Sequence, residues 1–307
     1  MYVRLAFNLH CIRKGGRPMK KLQDGLYSIA IPTKSGQHIC YVLQEGEYYT
    51  LVDVGPNTMA AEYVWKQYYE QGLKVNRLIV TNPTSLELAQ TLRTMFQAPI
   101  LAIEMVKPDE IYLGLYGVKF KKNLLYQASI DQHLRHGDML SIGERTWEVI
   151  QTPGLSNGDF VLYDAEHQLC LVGRILVHDM QTMKCTNKED EQLLAQFFNS
   201  LQTLLRYDIE CTFAVENIPI KNVKQSIYAV QNNYLQLLRK VYELLYKETT
   251  VEKLAKQLLH EESTSTLALL HYLTAIGKAE VNREVIPYTF RAKRQGLDGM
   301  SYLVHHL

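Results

Sequence analysis

Residues 77–96 constrain this chain more than any other stretch. Arg77-Leu78-Ile79-Val80-Thr81 is a short apolar run with the length and β-branched content of a buried strand. Directly after a short polar loop, residues 86–96 carry apolar side chains at helical spacing. A buried strand feeding a helix through so short a connection is a unit of a layered α/β arrangement. The connection, Asn82-Pro83-Thr84-Ser85, is small and polar.

Further landmarks follow in order. Upstream, Tyr48-Tyr49-Thr50-Leu51-Val52-Asp53-Val54-Gly55 is a strand ending in D-x-G, where glycine permits a tight turn. Downstream, the run from Arg135 through Trp147-Glu148-Val149-Ile150 leads into Gln151-Thr152-Pro153-Gly154-Leu155-Ser156. Leu169-Cys170-Leu171-Val172-Gly173-Arg174 is another strand, and Ala214-Val215-Glu216-Asn217 precedes a long helical stretch. The order and spacing of these five segments resemble the metallo-β-lactamase superfamily, from about Met19 onward. The fold class the resemblance implies is α/β, an αββα sandwich, followed by a small, mostly helical, winged-helix-like domain.

The superfamily's metal loop reads T-H-x-H-x-D-H. On that pattern its ligand positions fall on Asn82, Thr84, Leu86 and Glu87. The histidine of T-P-G-H falls on Leu155, the bridging aspartate of the G-D strand end on Arg174, and the histidine of the last turn on Glu216. No family histidine survives. Zinc requires three or four converging imidazole, thiolate or carboxylate ligands. Only Glu87 and Glu216 are of that kind, and Arg174 brings a permanent positive charge that repels a divalent ion. The resemblance therefore implies a vestigial site with no metal and no cofactor, in which Arg174 replaces the ion by pairing with Glu87 or Glu216.

Asn82, Glu87 and Arg174 are the candidate ligand-binding residues, for a small anionic or polar ligand. The leading functional expectation is a non-catalytic binding or regulatory protein, a pseudoenzyme with a protein partner or a second copy of itself. The alternative is a hydrolase of altered chemistry, with Glu87 as base and Arg174 as anion clamp, or with an unusual metal. A third is a nucleic-acid adaptor acting through the carboxy-terminal module.

Composition narrows the partners. With 33 Lys and Arg against 32 Asp and Glu, the chain has no overall bias toward nucleic acid or acidic membranes. Five scattered cysteines without a C-x-x-C pair suit a reducing cytoplasm better than a disulfide framework or a zinc ribbon. No run is long enough to span a membrane.

Residues 1–18 carry four basic residues and no acidic one. Residues 14–19, Lys-Gly-Gly-Arg-Pro-Met, are encodable as a bacterial ribosome-binding site ahead of a start codon, so Met19 is expected to be the native start. Residues 19–220 are expected to form the sandwich, with helices at 59–72 and 189–207, and residues 221–307 the helical module. Within that module, helices are expected over 222–247, from the capping box Thr249-Thr250-Val251-Glu252 to about 259, and over 263–276, then a hairpin over 280–290. The helix over 263–276, placed to read a groove, has no Lys or Arg, which argues against nucleic acid as a partner.

The remaining chemistry-bearing residues read as structural. His38 and Cys40 share a strand face and are expected to pack. His133 and His136 belong to a solvated loop, and His305 and His306 to the chain end. Asp159, Asp164 and Asp179 look like turn residues. The Tyr-rich stretch over 107–131 is expected to be a surface excursion rather than a lid or partner surface.

Overall fold

The computed structural model describes residues 19–34, 36–104, 107–119, 129–176, 183, 185–215, 217–258 and 262–293, without the side chains of 217–219. Two sheets face one another. The first has seven strands in sequence order: β1 (Lys20–Gln23), β2 (Leu26–Thr33), β3 (Gly36–Glu45), β4 (Tyr48–Val52), β5 (Val75–Val80), β6 (Ile100–Ala102) and β7 (Gln132–His133). It runs antiparallel to β4 and parallel thereafter, because α1 (Met59–Glu70) and α2 (Leu86–Phe96) supply the crossovers from β4 to β5 and from β5 to β6.

The second sheet comprises β8 (Met139–Ile142), β9 (Arg145–Gln151), β10 (Phe160–Asp164), β11 (Leu169–Gly173), β12 (Cys211–Ala214) and β13 (Asn217–Ile220), also in sequence order. Its parallel pair, β11 and β12, is bridged by α4 (Leu193–Leu204). The short helix α3 (Glu110–Leu115) leaves the first sheet after β6.

Side-chain alternation explains why these strands read as unbroken apolar runs. Along the second sheet, Val149, Phe160, Leu162, Leu169 and Leu171 face Leu43, Val52, Ile79 and Leu101 of the first sheet. Their neighbours Ile150, Val161, Cys170 and Val172 face outward onto Phe197, Phe198 and Leu201 of α4. The outer face of the first sheet, with Val42, Leu51 and Leu78, is covered by Trp65 of α1 and by Leu88 and Leu92 of α2. Each central strand is thus buried on both faces, and the layers are helix, sheet, sheet, helix.

The carboxy-terminal part consists of α5 (Val223–Leu244), β14 (Thr249–Thr250), α6 (Val251–Gln257), α7 (Ser263–Ala275), β15 (Ala279–Asn282) and β16 (Thr289–Ala292), its three strands ordered β14-β16-β15. Its apolar core is continuous with the α4 layer: Tyr234 of α5 and Tyr272 of α7 pack on Phe198. From Thr264 to Leu273 every residue of α7 is buried, so the helix that a groove reader would present is here a core helix. The expected helix over 189–207 opens as a 3-10 turn, Lys188–Gln192, capped by Asn187, before α4 begins.

The excursion over 107–131 is not a plain surface loop. Tyr112 and Tyr116 of its helical segment are buried against the carboxy-terminal part, with the Tyr112 hydroxyl 2.8 Å from Nε2 of His271. The Tyr288 amide donates to the Leu115 carbonyl at 2.7 Å, and Tyr116 stacks on Phe290. Aromatic rings that read as surface in isolation gain partners far along the chain, 159 residues away for Tyr112. Tyr126 lies outside the described residues.

Candidate functional site

The landmark loops meet at one end of the sandwich. There the segments after β4, β5, β9 and β11 converge, and two backbone hydrogen bonds stitch the sheets together: Phe160 N to Thr81 O at 3.1 Å and Ile39 N to Val215 O at 2.5 Å. Glycines permit the approach. Gly173 has φ of +51°, and a Cβ on it would lie 2.7 Å from Thr81 Oγ1. A Cβ on Gly154 would lie 2.6 Å from Phe197.

Asp53 terminates β4 in a left-handed conformation, φ 55°. Its buried carboxylate accepts from the Thr81 amide at 2.9 Å and the Thr81 hydroxyl at 2.5 Å. Its carbonyl lies 2.9 Å from Nε2 of His38. Ser85 accepts from the Gly55 amide at 3.2 Å, which ties the D-x-G turn to the following loop.

The expected vestigial positions have structural tasks. The Asn82 side-chain oxygen accepts from the Thr84 amide at 3.1 Å and from the Thr84 hydroxyl, capping the 3-10 turn Pro83–Ser85. Leu86 is buried against the helices of the first sheet and Leu155 against the α4 layer. Glu87, half-buried on the first turn of α2, accepts from Asn57 Nδ2 at 2.9 Å. Glu216 lies outside the described residues.

Arg174, half-buried, acts electrostatically on Asp53, Asp159 and His38. Asp159 is the residue that sequence reasoning passed over. By position it belongs to a turn, but its carboxylate is buried, and Oδ2 accepts from the Ser156 amide at 2.5 Å. Burial pushes Asp159 up to about 7 and Asp53 up to about 6, against the opposing pull of hydrogen bonds and of Arg174. Burial pushes His38 down to about 4, and the Arg174 charge acts in the same direction. A small cavity lies between the sheets here, lined by Asn82, Thr152, Leu155, Asp159, Arg174 and Ile175 among others.

Asp164 is likewise more than a turn residue: it is buried and pairs with Arg145 at 2.7 Å and with His167 at 2.9 Å. His133 and His136 are exposed, with His133 3.8 Å from Glu104 and His136 Nδ1 accepting from the Gln151 amide. Asp179, His305 and His306 lie outside the described residues.

The architecture is matched in solved structures. A metallo-beta-lactamase family protein from Thermus thermophilus superimposes with a TM-score of 0.77 at 21% identity, over 89% of this chain and 100% of that one. A beta-lactamase domain protein from Burkholderia ambifaria gives 0.75 at 16% identity, over 91% and 98%. This chain has the metallo-β-lactamase fold. A class B3 di-zinc metallo-beta-lactamase from an Alaskan soil metagenome matches with a TM-score of 0.52 at 14% identity, over 72% of this chain and 94% of that one. The larger coverage in the first two takes in most of the carboxy-terminal part as well as the sandwich. No family model and no curated protein matches the chain.

The soil-metagenome protein is a di-zinc one, and the described residues here show no such cluster. The positions that the resemblance assigns to imidazoles hold a helix cap, Asn82, and an aliphatic side chain, Leu155. The position between the sheets holds a cation, Arg174. Among the described residues no three His, Cys, Asp or Glu converge as a metal would require.

Proposed function

We propose that this protein is a metallo-β-lactamase-fold pseudoenzyme that binds or regulates rather than hydrolysing by a metal mechanism. One observation carries the reading: Arg174 shares a cavity with the buried carboxylate of Asp159 and acts on Asp53, at the centre of what would be a metal site. A guanidinium supplies these carboxylates with the positive charge that an ion would otherwise bring, and it repels the ion itself. Of the expected partners, Glu87 is turned to Asn57 and Glu216 lies outside the described residues; among the described carboxylates, Asp53 and Asp159 support the counter-charge reading. Residues that cannot hold a metal leave the site without the Lewis acid that lowers the pKa of water in metal hydrolases.

The carboxy-terminal part is best described as winged-helix-like. Helix, strand, two helices and a hairpin, with the first strand pairing to the last, support that description. Burial of α7 supports a packing module rather than a nucleic-acid reader. Its partners are the α3 helix, the α4 layer and, in this proposal, a protein or a second copy of the chain.

A second reading, an enzyme of altered chemistry, is favoured by Asp159 rather than by Glu87. A carboxylate at about 7 is poised for proton transfer at neutral pH, and Arg174 beside it provides an anion clamp. The experiment is a thermal-shift screen of small anions and metabolites, coupled to turnover assays on esters, thioesters and phosphodiesters. Stabilisation that is lost in Arg174→Ala, without turnover, supports the pseudoenzyme. Turnover abolished by Asp159→Asn supports the enzyme.

A further inference from the structure

Two buried polar side chains line the cavity at the end of the sandwich. Thr152 Oγ1 and Asp159 Oδ1 are both buried, and neither has a hydrogen-bond partner among the described residues. Both side chains line the same cavity, with Arg174 on one wall and Leu155, Val172 and Ile175 on others. Thr152 and Asp159 are held side by side, because the Thr152 amide donates to the Asp159 carbonyl at 2.9 Å. Two orphaned polar atoms on side chains that line one cavity are costly unless something bridges them.

We infer that this cavity is a binding site for a single ordered water molecule, which donates to Asp159 Oδ1 and is hydrogen-bonded to Thr152 Oγ1. The cavity measures about 10 Å³. On that measure one water needs about 10–15 Å³ and two to four polar partners. Thr152 and Asp159 supply two polar partners. Arg174 and the aliphatic walls disfavour a divalent ion. Water is the one ligand class that satisfies a hydroxyl and a carboxylate together without adding charge. It also gives the Asp159 carboxylate, otherwise held by Ser156, a hydrogen bond that burial denies it.

The test is a high-resolution crystal structure of the wild-type protein and of Thr152→Val, recorded also at the zinc absorption edge, with unfolding midpoints for both. The wild type is expected to show one non-anomalous peak within hydrogen-bonding distance of both atoms. Thr152→Val, which keeps the shape and removes the hydroxyl, is expected to lose the peak and to unfold about 2–5 °C lower. Thr152→Ser is expected to keep the peak. A direct Thr152–Asp159 hydrogen bond with no density between the sheets overturns the inference and leaves the pseudoenzyme reading intact, as does an unchanged or raised midpoint in Thr152→Val. An anomalous zinc peak overturns both.

Discussion

The Asp53 carboxylate accepts two hydrogen bonds from Thr81, one from the amide at 2.9 Å and one from the hydroxyl at 2.5 Å. The pair joins the ends of two neighbouring parallel strands, β4 and β5, and so sets the position of the loop that carries Asn82 and Glu87. Thr81→Val leaves Asp53 Oδ2 buried without that donor. Urea unfolding is expected to show a loss of about 1.5–3 kcal/mol, the range for a hydrogen bond to a charged group. Thr81→Ser restores the donor and is expected to lose about 0.8 kcal/mol, the worth of one buried methyl group. Equal losses in the two variants would contradict this role.

The buried titratable groups act on stability in opposite directions. Asp53 and Asp159, raised by burial to about 6 and about 7, keep a proton in the folded state that the unfolded chain releases near 4. Each therefore removes stability as pH rises, from about 4 to about 6 for Asp53 and to about 7 for Asp159. His38 and His271, lowered by burial to about 4, stay neutral when folded while the unfolded chain protonates below about 6.5. Each adds stability as pH rises from about 4 to about 6.5. The four contributions nearly cancel over that window. Asp159→Asn removes one of the falling contributions. Its stability is expected to climb relative to wild type between about pH 4 and 7, by at most about 1.4 kcal/mol per pH unit. Parallel stability curves for the two proteins would refute the assignment.

The Tyr112–His271 hydrogen bond, at 2.8 Å, connects α3 to the buried helix α7. Tyr112→Phe leaves a ring nitrogen unpaired in a site closed off by Tyr116 and Phe290. The expected cost is about 1–3 kcal/mol. Hydrogen exchange is expected to rise first in α7 and the β15–β16 hairpin, with the first sheet unaffected. Uniform loss of protection across both sheets would show that this contact is not specific to the carboxy-terminal part.

Gly154 lets the Thr152-Pro153-Gly154 loop lie directly on α4. Gly154→Ala sets a methyl group 2.6 Å from Phe197, and Ser200 Oγ donates to the Pro153 carbonyl at 2.8 Å from the same helix. Overpacking here is expected to cost about 1–3 kcal/mol in chemical denaturation. A neutral substitution would mean that the loop is free to lift off the helix.

The elements legible in the sequence were those whose signal is local. The residues of α2, Leu86–Phe96, follow from helical periodicity, and the strands from apolar runs bounded by turn residues. The fold was legible through the order of its landmark loops. What escaped was decided by tertiary contact. Asp159 sits beside Gly158 like any turn aspartate, and only the fold shows its carboxylate turned inward to the cavity it shares with Arg174. Tyr112 and Tyr116 carry no signal of the partners they meet at His271 and Phe290. The run Thr264–Leu273 reads as one helix, but its burial on every side depends on α3, α4 and α5 packing around it. Arg174 was visible as a misplaced cation, and its carboxylate neighbours were not.

In the proposed function Arg174, with Asp53 and Asp159, stands in place of a metal ion. The most direct test of this is the metal content of the purified protein, measured by plasma mass spectrometry after dialysis and again after incubation with zinc, manganese and iron. Metal well below one equivalent per chain under every condition is the predicted result. One or two tightly held ions per chain would contradict it.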